Sequence, residues 1–267
     1  MKNLFSALLL GLITYSAAAQ TAPAFTSVCN DRSAGSNGSK TFCETRDLTL
    51  PGTGGQTLTI DGKTNGGISV QGYDGTDVRV RAKVTAWAKT DADASQLAKS
   101  VVVGTTGNAL RATGPGPNDQ SWAVSYEVFV PRKTALALNT LNGGISLRDL
   151  DSSVSFEAVN GGVSLTSVAG KVKGQTVNGG LHIKLTGAKW EGEGLDVQTT
   201  NGGITWDLPK AYSAKFFTST NAGSISAAGL PITKSGFTHR EVTADLGQGG
   251  ASVKAVTVNG GIKVSQN

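Results

Sequence analysis

The sequence predicts an all-β protein: a parallel β-helix, or β-solenoid, of about 18–20-residue coils, together with a strand-rich N-terminal half that carries one short helix. Three observations carry that expectation. Asn-Gly-Gly begins at Asn65, Asn142, Asn160, Asn178, Asn201 and Asn259, with an Asn-Ala-Gly variant at Asn221; the intervals from Asn142 onward are 18, 18, 23, 20 and 38 residues, the last close to two periods. Behind the glycines the chain runs apolar, polar, apolar, as in Ile68-Ser69-Val70, Ile145-Ser146-Leu147, Val163-Ser164-Leu165, Leu181-His182-Ile183, Ile204-Thr205-Trp206 and Ile262-Lys263-Val264. That is the period-two code of a strand with one buried face. Glycine supplies 36 of the 267 residues, about twice its usual share of roughly 7%.

In chain order, residues 1–20 have the pattern of a secretory signal peptide. Lys2 gives the positive start, Leu4 to Ile13 a short apolar run, and Ala17-Ala18-Ala19 small residues for cleavage near Gln20. A spanning helix needs about 18–20 continuous apolar residues; this run is shorter and is interrupted by Ser6 and Gly11. No Cys follows closely to take a lipid, and no later stretch has the length and apolarity of a transmembrane helix. The expected location is therefore outside the cytoplasm, in the periplasm or at the cell surface. Cys29 and Cys43 fit an oxidising compartment, where such a pair forms a disulfide. Closing a loop of about 15 residues stabilises by roughly 3 kcal/mol in the chain-entropy account. There is no Cys-x-x-Cys and no nearby His to suggest redox or metal chemistry.

Residues 21–134 are expected to form the strand-rich part packed on the solenoid, and residues 135–267 the repeats. Thr57 to Ile60 and Asp77 to Trp87 alternate as half-buried strands. Asp91-Ala92-Asp93-Ala94 starts a helix with an Asp cap, Leu97, Ala98, Val101 and Val102 at helical spacing, and Gly104 as a stop. Gly114 to Asp119 is a loop, and Trp122 to Val130 is a strand ended by Pro131. This half is suited to capping an open solenoid end against edge-to-edge association.

In the repeats, one coil cannot bury its own apolar residues, but stacked coils form a continuous core. Gly-Gly is expected to supply positive φ at a corner, and the Asn amides to lie one above another at about 4.8 Å and bond in a ladder. Asn-Gly is also a hairpin signal; the regular spacing and constant phase favour the solenoid. At Asn221 the phase slips, because Ser224 takes the first apolar slot, so a bulge or irregular coil is expected there. A second, shorter strand fits between motifs, as at Val154-Ser155-Phe156 and Val172-Lys173-Gly174.

Cys43-Glu44-Thr45-Arg46, the Val-rich strand to Trp87, Tyr126-Glu127-Val128-Phe129-Val130-Pro131 and the serial Asn-Gly-Gly units together resemble the bacterial putative-adhesin family of exported β-solenoid proteins. The resemblance covers nearly the whole chain after the leader. It implies the solenoid fold and, through the family's name, an adhesin-like role; it brings no catalytic residues to carry over.

Reactive chemistry is sparse. His182 takes the polar slot that Ser69, Ser146, Ser164, Thr205 and Lys263 hold elsewhere, so it belongs to an outward row; His239 lies in the polar segment Phe237 to Glu241. Neither has the sequence context of a Ser-His-Asp triad, and no Gly-x-Ser-x-Gly occurs. Asp149/Asp151 and Glu191/Glu193 are acidic pairs in turns, the only candidates for weak cation binding or for carboxylate catalysis on a polysaccharide. The elements of polygalacturonases and pectate lyases are missing. Gly62-Lys63-Thr64 lacks the upstream Gly of a phosphate loop, since position 57 is Thr. No cofactor motif is present. The net charge of +5 is spread along the chain rather than gathered into a nucleic-acid patch. Exposed small polar slots, with Trp190 as an exposed aromatic and Tyr212 or Trp206 nearby, point to contacts with envelope glycans or another envelope protein; Trp206 itself fits a core slot. The expected function is that of a non-enzymatic, exported, adhesin-like envelope protein, with a polysaccharide-active enzyme as the alternative.

Overall fold

A computed structural model describes residues 23–29, 38–116 and 121–267. The leader reading falls on residues 1–20, outside the described part, as do residues 30–37 of the expected disulfide loop and 117–120 of the loop before Trp122. The N-terminal elements are β1 (Lys40–Leu50), β2 (Leu58–Asp61), β3 (Ile68–Tyr73), β4 (Val78–Ala88), α1 (Asp91–Ser100), β5 (Val102–Thr106), β6 (Ala109–Thr113) and β7 (Trp122–Pro131). Then come paired strands, two to a coil: β8 (Leu136–Thr140) and β9 (Ile145–Arg148), β10 (Asp151–Ala158) and β11 (Val163–Thr166), β12 (Ala169–Asn178) and β13 (Leu181–Lys184), β14 (Gly194–Asn201) and β15 (Ile204–Leu208). The chain ends with β16 (Ala214–Ala222), β17 (Ile225–Ala227), β18 (Ile232–Ser235), β19 (His239–Leu246), β20 (Ser252–Asn259) and β21 (Ile262–Gln266).

Each coil gives one strand to each of two facing sheets, one of ten strands and one of eleven. Within the stack the pairing is parallel: β3, β9, β11, β13, β15 and β21 succeed one another in the first sheet, and β2, β8, β10, β12, β14 and β20 in the second. The chain is a β-solenoid, and β3 stacks directly on β9, so the motif at Asn65 opens the same stack as the later ones. Alternation decides what faces in. Ile145, Leu147, Val163, Leu165, Leu181, Ile183, Ile204 and Trp206 are buried, with Leu138, Val154, Phe156, Val172 and Val197 from the opposite sheet. Burying each side chain of this size is worth roughly 1.5–3 kcal/mol. Large and small residues compensate: Gly174 lies in register with Phe156, and a Cβ there would stand 2.4 Å from the Phe156 ring.

The stacking order departs from chain order at the C-terminal end. The coil of Asn259 inserts between those of Asn201 and Asn221: β20 pairs with β14 on one side and β16 on the other, and β21 lies between β15 and β17. The 38-residue interval is thus not two successive layers. The chain first makes the outer coil, runs out along the antiparallel pair β18–β19, and returns inside it.

The motif at Asn221 is also framed differently from expectation. The residue level with Asn259 is Ala222, and Ile225 lies level with Ile262. Counted from Ala222 there is no slip between β16 and β20. The frame follows the apolar residue, which must meet the core, rather than the exposed Asn.

At the other end, β1, β4 and β7 add an antiparallel extension to the first sheet, and β5 and β6 end the second. Helix α1 packs on β1 and β4. Its cap is Thr90, whose Oγ1 accepts from Asp93 N at 3.1 Å, one residue before the expected Asp. The helix ends at Ser100, not at Gly104, which lies in β5. Arg46 receives the freed end: its guanidinium donates to the carbonyls of Ala98 and Val101 and pairs with Glu44, favourable for a cation at a helix C-terminus. Residues 23–29 form a strap across β4 and β7. Phe25 packs on Phe129 with ring centroids 5.0 Å apart, and Arg81 lies 4.7 Å from the Phe25 centroid. Arg79 donates to Pro23 O, and the Cys29–Cys43 disulfide fastens the far end to β1.

Candidate functional site

The site is built from one corner of the coil. Two residues before the Asn stands a buried Thr, one turn of the pleat inward. Thr140, Thr176, Thr199 and Thr257 donate to the carbonyls of Gly66, Gly161, Gly179 and Gly202 at 2.7–2.8 Å. Thr220, in the frame of Ala222, does the same to Gly260 at 2.9 Å. Ala158 holds this slot in the coil of Asn160, so the hydroxyl is missing there. Outside, the Asn amides form the expected ladder. Asn142, Asn160, Asn178, Asn201 and Asn259 each donate to the Asn of the preceding layer, at 2.8–3.1 Å, down to Asn65. Asn221 stands outside it and contacts His239 Nδ1 at 3.2 Å.

The glycines are required for a reason other than the expected one. None of the Asn-Gly-Gly glycines has positive φ. The first is pressed against the layer beside it: a Cβ on Gly143, Gly161, Gly179, Gly202 or Gly260 would lie 2.0–2.2 Å from a neighbouring carbonyl oxygen. Left-handed non-glycine backbone occurs instead at Asp149 (φ 56°) and Ser167 (φ 53°), at the opposite corner, and at Lys63 (φ 54°), just before Asn65.

The second glycine is exposed and open. A Cβ on Gly144, Gly162, Gly180 or Gly203 would find its nearest atom at 3.1–3.5 Å. Together with Gly67 these residues floor a groove of about 840 Å³ that runs across five coils on the outer face of the first sheet. Beside them lies the outward row Ser69, Ser146, Ser164, His182 and Thr205, aligned strand by strand. The floor's carbonyls are all used: Gly67, Gly144, Gly162, Gly180 and Gly203 accept from Tyr126, Ile68, Ile145, Val163 and Leu181. Among the described residues, no protein group accepts from the N–H of Gly144, Gly162, Gly180 or Gly203. The groove begins under the strap, at Thr26, Ser27, Lys83 and Glu127.

Glu127 is committed to that end. It accepts from the backbone N–H of Thr26 and Ser27 at 2.9 and 2.8 Å and from the Thr26 hydroxyl at 3.0 Å. Burial works against its charge, but the hydrogen bonds from Ser27 and Thr26 outweigh it and hold the carboxyl below its ordinary value. Asp47 is also held low, by the hydrogen bonds of Arg81, whose Nη1 bonds Ser27 O.

Of the residues singled out by the sequence, His182 is outward and lines the groove, with Nε2 3.5 Å from Asp207. His239 lies on β19, away from it. Trp190 is not the exposed aromatic expected: it is 4% exposed and its Nε1 donates to Gly170 O. It is drawn in because two glycines with positive φ, Gly170 and Gly192, fold the turn over it. Tyr212 is buried as well, and burial pushes its phenol up. Trp206 is fully buried, edge-on to Phe216. The acidic pairs sit at the opposite corner, outside the groove: Glu191 faces Lys189, Glu193 faces Lys171, and Asp149 faces the Gln71 amide. The buried Thr column and the open second-glycine column were not singled out. The first was legible as Thr-x-Asn-Gly-Gly; the second depends on which layer lies beside it.

Among the described residues no helix is long and apolar enough to cross a membrane. No curated protein matches the chain. It is similar in fold to a putative cell adhesion protein from Clostridium sporogenes, at 13% identity over 85% of this chain and 100% of the other, with a TM-score of 0.45. It is also similar to a putative adhesin from Bacteroides fragilis, at 12% identity over 85% and 97%, TM-score 0.33. A third is a putative lipid binding protein from Parabacteroides distasonis, at 12% identity over 84% and 96%, TM-score 0.29. The family model of Toastrack DUF4097 matches residues 48–265, and the chain belongs to that family.

Proposed function

We propose that this is an exported, adhesin-like protein of the cell envelope that works by binding rather than by turnover, and that the groove of the first sheet is its contact site. The observation that carries this is the groove itself: one set of exposed groups repeated in register over five coils, with a floor left bare by glycine. A repeated, flat array suits a long partner, because each layer adds one equivalent contact.

The enzymatic alternative is disfavoured by where its carboxylates stand. They lie at the opposite corner, and three of the four face a cation or an amide. Ser164 lies level with His182, whose Nε2 is 3.5 Å from Asp207, but among the described residues no hydrogen bond joins Ser164 to His182.

The test uses the whole chain, expressed with its leader and recovered from the exported fraction, where the mature protein is expected to begin near Gln20. Its retention on isolated envelope material is compared with that of a Gly162→Ala/Gly180→Ala variant, which fills the groove. Retention of the parent and loss by the variant is expected. Equal retention of both, or release of cut glycan abolished by His182→Ala, would sink the reading.

A further inference from the structure

We infer that the groove takes an extended anionic polysaccharide strand, laid along the stacking axis. This rests on the binding reading above and narrows it to one ligand chemistry. Three features point the same way.

The first is the polarity of the floor. Every second-glycine carbonyl is used within the protein, while the N–H groups of Gly144, Gly162, Gly180 and Gly203 make no hydrogen bond among the described residues. The unbonded backbone groups there are therefore donors. A peptide presents both donors and acceptors, so half of its groups would go unmatched, and the groove is a sheet face rather than an edge that could be extended by strand addition. A polysaccharide bearing carboxylate or sulfate groups is rich in acceptors, and its hydroxyls match the Ser69, Ser146 and Ser164 hydroxyls, which both donate and accept. Single-stranded nucleic acid would need exposed aromatic rings along the groove for stacking; among the described residues the aromatic that lines it, Tyr126, is buried.

The second is charge. Lys83 lines the groove, Lys263 follows Thr205 in the outward row, and Arg148 and Lys184 stand in the next outward row. None of the four has a carboxylate at ion-pair distance among the described residues. Of the three nearby carboxylates, Glu127 is held by the strap, Asp207 lies 3.5 Å from His182 and Asp149 faces the Gln71 amide. The face therefore carries cations in excess, which steer and hold an anion.

The third is the repeat. The donors recur once per coil, at about the 4.8 Å strand spacing, comparable with the rise of one sugar ring along an extended glycan. The bare glycine Cα atoms give the C–H face of a ring a flat surface to lie on.

The experiment measures retention of the full-length exported protein on immobilised polygalacturonate and dextran sulfate, as carboxylate and sulfate sources, with neutral dextran and polyglutamate as comparisons. At least one anionic glycan is expected to bind, about tenfold or more tighter than neutral dextran or polyglutamate. Gly162→Ala/Gly180→Ala is expected to weaken it by at least about tenfold with only a small loss in urea midpoint, since the Gly180 Cβ would press on Gly203 O at 3.2 Å. Lys83→Gln/Arg148→Gln/Lys184→Gln/Lys263→Gln should weaken it similarly and flatten its salt dependence. Equal binding of neutral dextran or polyglutamate, or indifference to both variants, overturns the anionic assignment. If envelope material is still retained while neither anionic glycan binds, this assignment fails alone; if neither is retained, the binding reading fails with it.

Discussion

The two glycines of each motif are adjacent and chemically identical, yet the first is structural and the second is available. The first faces the neighbouring layer at a separation no Cβ tolerates, between a buried Thr on one side and the Asn ladder on the other. The second turns outward one residue later, would meet its neighbour about an ångström or more farther off, at 3.1–3.5 Å, and floors the groove. The difference teaches that glycine in a solenoid corner need not signal unusual φ. Here it signals close approach in one column and a cleared surface in the next.

Substitution separates the two most sharply. Gly161→Ala, whose Cβ would stand 2.0 Å from Gly143 O, is expected to cost about 3 kcal/mol or more, because two backbones must part. Gly162→Ala, with its nearest atom at 3.5 Å, should change stability by at most about 1 kcal/mol, and in the stabilising direction if the unfolded chain is stiffened. Urea titration followed by circular dichroism checks both; equal losses would erase the distinction. Since stacked repeats can unfold layer by layer, the midpoint is compared for each transition resolved.

A smaller effect tests the inner side of the first column. Thr176→Val keeps the shape but removes the hydroxyl that bonds Gly161 O, and should cost about 1 kcal/mol. Ala158→Thr, in the coil of Asn160, should recover a few tenths of that if the pocket admits it. No loss in Thr176→Val would show the corner to be held by packing and the amide ladder alone.

The smallest effect concerns the end of the groove. Because the Glu127 carboxyl is held below its ordinary 4.5, its contribution is complete above that pH and is lost as pH falls through the lowered value. Asp47, held low by Arg81, acts in the same sense. The protection factors of the Thr26 and Ser27 amides, with exchange referred to the intrinsic rate at each pH, should therefore fall in acid before those of the coils. In Glu127→Gln exchange should already be faster at neutral pH, with much of the acid dependence gone. An acid response identical to the parent's would remove Glu127 from the strap's anchorage.

Much of this was legible in the sequence, since the relevant patterns are local. Apolar alternation after each motif names Ile145, Leu147, Val163, Leu165, Leu181, Ile183, Ile204 and Trp206 as inward. The spacing of the Asn residues implies the amide ladder, and the outward row containing His182 follows from the same period. Where a local cue misled, a tertiary one had overridden it. Asn221 looks like the repeat Asn, but half-buried Ile225, packed against the core and level with Ile262, sets the frame and gives the slot to Ala222. Trp190, beside charged and glycine residues, looks exposed; the turn folds over it.

The sequence by itself determined the coil: its length, its two strands, its inward and outward residues and its corner. These follow from side-chain alternation and backbone preference within some twenty residues. Only the tertiary structure decided the order of the layers, with the last coil inserted between two earlier ones, and the separate roles of the two glycines. Both depend on which strand lies alongside which, across as many as 77 residues of chain. Coils with nearly the same motif present nearly the same edge. Which one pairs is settled by the whole stack and its caps, not by any single repeat.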